Sequence, residues 1–599
     1  MDYRNEYNRW LESELVDEAT KEELRAIAGD EKEIEGRFSK LLDFGTAGLR
    51  GIMCAGLFGM NVYTVRYATQ GLANLIKSSS EPGKSGVTIS YDSRNNSDLF
   101  AREAAGVLAA NGIHVYFFES LRPTPELSFA LRETDSIAGI NVTASHNPKE
   151  YNGYKVYWAD GAQLPPEHAA EVAESMRKSD IFDDVKTMDF AKATEEGFIT
   201  ILGDEMDEKY LACVLAQSAS ASSVREAADF KLIYTPLHGT GYKLVPEVLK
   251  RLGAENIITV PEQMVIDGDF PTVKSPNPDN IGTFELAIDL AKANDANLII
   301  GTDPDGDRCG AVVRNGDDFV MLSGNQIGCL LLDYLIQAKK EAGTLAANAA
   351  AVKSVVSTPM ANAICEKNDV TMIEVLTGFK YIGEKIKEWE SNGEHTYLFG
   401  FEESNGYLAG TYARDKDAVV ASMLLCEMAC YYALKGLTLY EVLQEMYKKY
   451  GFFKEEVISI QFEGFDASDK MAAVMKNLRE NPPAQIGFPI ERIRDYDSGL
   501  VTVVASGCPA AVASKCPAVS AAYADDASGA DDKAVTYPTG LPSSNMLFYE
   551  LSGGSKAVVR PSGTEPKVKL YLMAQGFDAA SCDAALAAVK TALLEIVKA

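Results

Sequence analysis

Short apolar runs alternate with longer amphipathic stretches along most of the chain, and that rhythm is its first structural signal. "GVTISYDSR" is followed by "LFAREAAGVLAANG", then by "IHVYFF" and "IAGINVT". An apolar run that ends in a polar loop and is succeeded by an amphipathic helix predicts a βαβ unit. The pattern restarts at "DFKLIYTPLHGTGYKLVPEVLKRLGAENIITV", continues through "FELAIDLAKANDANLIIGTD", and returns at "AAVKSVVSTPMANAICEKNDVTMIEVLTG". A charged helix precedes these rounds, to about Arg37. The residues themselves do not repeat, so the rounds predict three α/β domains of comparable size, with seams near 205 and 315.

Beyond about 452 the pattern changes to short strands, "EEVISIQFEG", "VTVVA", "NMLFYEL", "KAVVRP" and "KVKLYLMA", with helices at about 467–480 and 578–598. That reads as a smaller α+β domain with an antiparallel sheet. Inside it, "ASGCPAAVASKCPAVSAAYADDASGADDKA" has no clear periodicity and reads as a mobile surface loop without chemistry. The predicted division is 1–205, 206–315, 316–452 and 453–599.

Composition narrows the function classes. The chain has 599 residues, too many for one hydrophobic core. Its net charge of −29 repels phosphate polymers and anionic lipid, which argues against nucleic-acid and membrane-surface roles. A site for an anionic substrate must then be a local basic pocket in a repulsive field. The ten cysteines show neither paired metal-ligand spacing nor a dense disulfide framework, which fits a reducing compartment. The N-terminal "MDYRNEYNRWLESELVDEA" carries charges throughout and is no signal peptide, and "AVVASMLLCEMACYYALKG", with Glu427 inside it, reads as a core helix rather than a membrane span. A cytoplasmic protein is expected, with no nucleic-acid or membrane partner.

Five loops carry candidate chemistry. "GINVTASHNPKEYNGYK" begins as a buried strand and breaks into a loop with Ser145 beside His146, yet no nucleophile elbow surrounds the serine. "LIIGTDPDGDRCG" places Asp303, Asp305 and Asp307 at the carboxyl end of a strand, where alternate carboxylates converge on one hard cation. An EF-hand loop is excluded, because the sixth position is Arg308 rather than Gly and the twelfth Arg314 rather than Glu. Three protein oxygens leave coordination positions open, which suits Mg²⁺ shared with a phosphate. "VVRPSGTEPKVK" offers the guanidinium of Arg560 with Ser562, Gly563 and Thr564, the equipment for a phosphate monoester; a basic turn between strands would look similar. "FGFEESNGYLAGTYARDKD" sets Glu402, Glu403 and Ser404 in a glycine-flanked loop suited to paired sugar hydroxyls, and a plain acidic turn is the alternative. "DFGTAGLRGIM" puts Arg50 in a glycine-rich turn. Metal, phosphate clamp, polyol loop and serine together fit phosphoryl transfer through a phosphoserine.

"TASHNP", "DPDGDR", "FEESNGY" and "RPSGTEPK" resemble, in order, the phosphoserine, metal, sugar and phosphate loops of the α-D-phosphohexomutase superfamily. "FGTAGLRG", "GFEESNGY" and "TGLPSSN" look most like its bacterial α-phosphoglucomutase branch, related to the phosphopentomutase-type enzymes. The resemblance covers nearly the whole chain. It implies four domains around a central cleft, three of mixed α/β topology and a C-terminal α+β domain resembling the TATA-binding-protein fold. It implies interconversion of glucose 1-phosphate and glucose 6-phosphate through a glucose 1,6-bisphosphate intermediate, which also serves as activator. The partners are then small sugar phosphates, and the protein a monomer or small homo-oligomer.

The same resemblance assigns roles. Ser145 is the phosphorylated serine and a metal ligand with Asp303, Asp305 and Asp307, and His146 orients the substrate or the loop. Arg50 and Lys155 are the basic residues around the phosphoserine, and Arg308 lies near the transferring group. Lys416, in "RDKD", matches a lysine proposed as general acid or base. Glu402 and Ser404 match contacts to the sugar's 3- and 4-hydroxyls, and Thr377 and Gly378 a loop on the opposite side of the ligand. Arg560, Ser562, Gly563 and Thr564 grip the non-transferring phosphate. The segment at about 505–535 looks like an insertion whose composition favours a distal position. Rival readings are a phosphopentomutase, a phosphomannomutase or a bisphosphate synthase; from other classes, a metal-dependent sugar phosphatase or a non-catalytic sensor. The Glu-Glu-Ser run favours glucose, and the intact serine, aspartates and Lys416 argue against a sensor.

Overall fold

The computed structural model describes residues 2–45, 48–79, 81, 83–462, 467–504, 535–562 and 567–598. Gly563 and Thr564 of the expected phosphate loop, and the Ala/Ser/Asp-rich segment over 505–534, lie outside the described residues. The chain forms two compact units, Met1–Val352 with Gly378–Val442, and Lys353–Thr377 with Leu443–Ala599.

The first unit opens with three short helices, Tyr3–Glu12, Glu18–Ala26 and Glu31–Phe38, where one charged helix is expected. Each break has a local cause. Asp2, Asp17 and Asp30 cap the helices with their carboxylates, accepting the N–H groups that the first turn leaves unpaired.

Two mixed sheets follow. The first contains β1 (Leu49–Ile52), β2 (Val87–Tyr91), β3 (Val115–Phe118), β4 (Ala138–Val142), β5 (Tyr151–Trp158) and β6 (Ile199–Leu202), in the order β1-β5-β4-β2-β3-β6. β2, β3, β4 and β6 run parallel, as the alternating pattern predicts; β5 returns antiparallel beside β4, and β1 antiparallel beside β5. β2 and β4 are buried at every position, the expected state of a parallel strand covered on both faces. The second sheet contains β7 (Lys231–Thr235), β8 (Asn256–Thr259), β9 (Leu298–Thr302), β10 (Cys309–Asn315) and β11 (Asp318–Leu322), in the order β11-β10-β9-β7-β8. The Ser145 loop leaves the carboxyl end of β4, and the aspartate loop leaves the carboxyl end of β9. Open α/β sheets present their ligand-binding loops at this end.

An antiparallel hairpin, Thr396–Glu402 with Gly406–Leu408, carries the Glu402–Ser404 loop. The apolar helix Ala418–Ala433 is buried over nearly its whole length. Its Glu427 accepts from Tyr334 Oη (2.6 Å), from the N–H groups of Ala219 (2.8 Å) and Ser220 (3.1 Å), and from Ser218. That satisfied carboxylate is why a charge is tolerated there. Among the described residues no helix is long and apolar enough to cross a membrane.

The second unit holds an antiparallel sheet in the order Phe452–Gln461, Lys567–Gly576, Lys556–Pro561, Leu547–Leu551, Phe488–Asp495, Leu500–Val503, Val535–Pro538. Helices Ala467–Glu480 and Ala579–Lys598 pack in its core through Met475, Leu478, Leu586, Val589 and Leu593. This is the expected α+β module, with Phe488–Asp495 and Val535–Pro538 as additional strands.

Candidate active site

Ser145 occupies the turn that leaves β4, with φ of 53°, a left-handed conformation uncommon outside glycine. Its N–H donates to Thr143 Oγ1 (2.8 Å), and Thr143 donates to Asp92 Oδ2 (2.6 Å). The turn aims Ser145 Oγ at Asp303 Oδ2, to which it donates at 2.9 Å. His146 Nδ1 stands 3.0 Å from the same hydroxyl. The hydroxyl thus lies between the Asp303 carboxyl and the His146 ring. Burial holds the His146 pKa well below its ordinary value, with the positive charges of Arg308 and Arg50 adding to the effect.

The aspartate loop is fastened through its backbone, which frees its side chains. The N–H of Thr240 donates to Pro304 O (2.9 Å), that of Thr124 to Asp305 O (2.8 Å), and that of Ala418 to Gly306 O (3.1 Å). These three residues stand at the N-terminal ends of helices Gly241–Leu252, Thr124–Glu133 and Ala418–Ala433. The positive ends of three helices thus face a loop with three buried carboxylates, a favourable arrangement for negative charge.

Asp305 Oδ2 accepts from Lys155 Nζ (2.6 Å) and Thr124 Oγ1 (3.0 Å), and Asp307 Oδ2 from Lys155 Nζ (3.2 Å). Lys416 Nζ lies 3.2 Å from Asp307 Oδ2 and 2.9 Å from Asp415 Oδ1. Oδ1 of Asp305 and Oδ1 of Asp307 are buried and have no hydrogen-bond partner. One ligand atom from each of the three aspartates falls within 4.8 Å of the others. Orphaned carboxylate oxygens converging in a buried site fit a hard divalent cation, which supplies the missing partner.

Electrostatics agree with that fit. Burial, reinforced by Asp305 and Asp307, pushes the Asp303 carboxyl well above the usual carboxylate range. Burial would raise Asp307 too, but Lys155, Lys416 and Arg308 outweigh it and hold its pKa below the ordinary value. For Lys416 burial is opposed by Asp307, Asp415 and Glu402, and the ammonium is kept charged. Lys155 is likewise raised, by Asp305 and Asp307 against burial.

The Glu402–Ser404 loop adjoins this centre. Glu402 is buried and accepts the N–H of Gly378 (2.7 Å), while Glu403 and Ser404 are half-buried in the turn. Asn405 O accepts the N–H of Cys309 (3.0 Å), next to Arg308, so this loop and the aspartate loop are stitched together. A Cβ on Gly406 would lie 2.1 Å from Lys416 Cδ; that glycine makes room for the lysine. Arg50, on β1 opposite Gly153, is exposed. The first unit therefore brings together Ser145, His146, Asp303, Asp305, Asp307, Lys155, Lys416, Arg308, Arg50, Gly378, Glu402 and Ser404. Thr377, Arg560 and Ser562 belong to the second unit.

Two supports escape a reading by motif. Arg94 binds the carbonyls of the Ser145 turn, and Asp415 anchors Lys416 while accepting from Tyr157 Oη (2.8 Å) and Gln163 Nε2 (3.2 Å). The available signal for Arg94 was positional: "YDSR" ends a β-strand, as "TASHNP" and "DPDGDR" do.

Family models for the phosphoglucomutase/phosphomannomutase α/β/α domains match residues 41–181 (domain I), 208–316 (domain II) and 323–450 (domain III). A phosphoglucomutase of Staphylococcus saprophyticus is 35% identical over 564 residues, covering 94% of this chain and 95% of that one. A phosphoglucomutase of Staphylococcus aureus is 34% identical over 546 residues, covering 90% and 91%. Among solved structures, Paramecium parafusin, a phosphoglucomutase in its open form, superposes with a TM-score of 0.66 at 16% identity, covering 93% of this chain and 95% of that one. A phosphoglucomutase/phosphomannomutase family protein of Burkholderia thailandensis gives 0.62 at 17% identity, covering 93% and 96%. Aspergillus fumigatus N-acetylphosphoglucosamine mutase, solved with GlcNAc-6P and magnesium, gives 0.50 at 14% identity, covering 97% and 100%.

Proposed function

The chain belongs to the phosphoglucomutase/phosphomannomutase family, and on that premise we propose that it interconverts glucose 1-phosphate and glucose 6-phosphate through a phosphorylated Ser145. The observation that carries this reading is the buried Ser145 hydroxyl, held 2.9 Å from one of three converging aspartates.

In the first half-reaction the free hydroxyl of a hexose monophosphate attacks the phosphoryl group on Ser145. The new O–P bond forms as the Oγ–P bond breaks and a general base takes the attacking hydroxyl's proton, giving glucose 1,6-bisphosphate. After the intermediate turns over, its other phosphate returns to Ser145. Asp303, Asp305 and Asp307 would hold Mg²⁺, which would supply charge neutralisation at the phosphoryl group. Lys155, Arg308 and Arg50 add fixed positive charge, and Lys416, held as an ammonium, is suited to give a proton to the departing Ser145 oxygen. His146, 3.0 Å from Oγ, keeps it oriented. Glu402 and Ser404 accept and donate at the sugar hydroxyls, with Gly378 fixing the Glu402 carboxylate. Thr377, with Arg560, Ser562, Gly563 and Thr564, takes the non-transferring end. Added glucose 1,6-bisphosphate serves as activator, and the eight described cysteines, all free, fit a cytoplasmic setting.

The test is a panel of glucose 1-phosphate, ribose 1-phosphate and mannose 1-phosphate with Mg²⁺ and a trace of glucose 1,6-bisphosphate. We expect the highest kcat/KM with glucose 1-phosphate, no release of inorganic phosphate, and loss of isomerisation in Ser145→Ala with the fold intact. Preference for ribose phosphate would overturn the substrate assignment, and activity surviving in Ser145→Ala would overturn the mechanism.

A further inference from the structure

One side chain, that of Arg94, donates to four carbonyls of the turn that carries Ser145. Arg94 Nη2 donates to Ser145 O and Asn147 O, at 2.5 Å each, and Nη1 donates to Pro148 O (2.9 Å) and Tyr151 O (3.0 Å). Turn carbonyls withdrawn from water need such partners, and the rigid fork of a guanidinium can reach four where an ammonium cannot.

Arg94 is itself fixed. Its Nε lies 3.3 Å from Asp92 Oδ2, with both side chains wholly buried. The same Asp92 oxygen accepts from Thr143, which in turn receives the Ser145 N–H. The peptide groups on both sides of Ser145 are therefore tied to one ion pair, which keeps the residue in its left-handed conformation.

A second element closes over this clamp. Phe270 places its ring 5.1 Å from the Arg94 guanidinium, and Ser275 Oγ donates to His146 O (2.7 Å). A Cβ on Gly268 would lie 2.4 Å from Asn95 N, so the contact tolerates no larger residue there. Asp269 reaches Lys149 Nζ at 3.2 Å. This segment connects β8 to the helix before β9, the strand from which Asp303 projects. Phe270 adopts φ of 47°, a strained state for a bulky residue that the surrounding contacts must sustain.

We propose that Arg94 is the positioning residue of the phosphoryl carrier: with Phe270 and Ser275 it clamps the 145–151 turn to the segment leading to the aspartates, so that Ser145 Oγ keeps one place relative to Asp303 through both half-reactions. This rests on the phosphoserine reading above. Arg94 touches neither the hydroxyl of Ser145 nor the sugar-binding residues, so its loss acts on phosphoryl transfer and leaves sugar affinity in place. A loosened turn also admits water, and a phosphoserine open to water loses its phosphate as inorganic phosphate.

The experiment uses the full chain with Mg²⁺ and glucose 1,6-bisphosphate. Arg94→Lys keeps the charge against Asp92 but cannot span four carbonyls. We expect kcat to fall about tenfold to a hundredfold, KM for glucose 1-phosphate to stay within about twofold, and inorganic phosphate released per turnover to rise. Ser275→Ala, which removes one hydrogen bond, lowers kcat about threefold to fivefold in the same pattern. A folded Arg94→Lys enzyme with native kcat and no phosphate release, or with its loss confined to KM, overturns the proposal. If Arg94→Lys does not fold, Ser275→Ala decides: native kcat without phosphate release overturns the clamp. Mass measurement of the Ser145 peptide separates the two readings. Wild-type turnover with Ser145 never phosphorylated defeats the phosphoserine reading and the clamp with it. A phosphorylated wild type whose kcat and phosphate release are matched by Arg94→Lys defeats the clamp alone.

Discussion

Glu402 holds a charge where the protein interior disfavours one. Burial, with the like charge of Glu403 added and Lys416 opposing, raises its carboxyl from 4.5 to about 7. Because the folded pKa exceeds the unfolded one, the folded state binds the proton more tightly. Stability falls as pH rises from about 4.5 to about 7 and levels off above that, by an amount on the order of 3 kcal/mol. Glu402→Gln, whose amide oxygen can still accept from Gly378, should therefore be more stable than the wild type at pH 8, with the difference closing toward pH 5 in urea titrations. The same variant should lose kcat/KM, since the carboxylate proposed to bind the sugar hydroxyls is gone; a variant no more stable at pH 8 would refute the assignment. At this scale the sequence was most legible where chemistry repeats in a short span, as at Asp303, Asp305 and Asp307 or at Ser145 and His146. Arg94 and Asp415 were not legible, because their partners are carbonyls and side chains made neighbours only by folding.

Elements decide how closely the loops approach one another. The helix Gly324–Glu341 begins against the Glu402–Asn405 loop, and a Cβ on Gly324 would lie 2.1 Å from Glu403 O and 2.7 Å from Asn405 N. Both are backbone atoms, so neither can swing aside as a side chain end would. Gly324→Ala should push the loop off its position and raise KM for glucose 1-phosphate about tenfold, with a smaller change in kcat, since Ser145 and the aspartates are untouched. Steady-state kinetics on the folded variant check this; an unchanged KM would show that the loop does not bind the sugar. The βαβ rhythm made the parallel strands and their helices predictable, because burial on both faces leaves an unbroken apolar run. The strand Phe488–Asp495 was hidden, since Pro489 and the charges Glu491, Arg492, Arg494 and Asp495 mask any apolar run, and β5 was hidden in a stretch that reads as loop. The helix Ala467–Glu480 and the helix Ala579–Lys598 match expectation almost to the residue, because nothing in their amphipathic pattern competes.

For the whole molecule the relevant quantity is a net charge of −29 set against an anionic substrate. Two electrostatic effects of opposite sign act on a sugar phosphate approaching the site. The surface repels it over a distance fixed by the Debye length, about 30 Å at 0.01 M salt and about 8 Å at 0.15 M. The cations Lys155 and Lys416 attract it at short range from buried positions, where salt screens little. Raising salt through that interval removes the distant repulsion while leaving most of the nearby attraction. Substrate capture should therefore improve: kcat/KM for glucose 1-phosphate rises about twofold to fivefold between 0.01 M and 0.15 M potassium chloride, with kcat nearly constant. The measurement holds Mg²⁺ and glucose 1,6-bisphosphate saturating, so that only substrate capture responds. A fall in kcat/KM over the same interval would mean that the basic pocket governs the field well beyond its own walls, and that the acidic surface has no part in the rate.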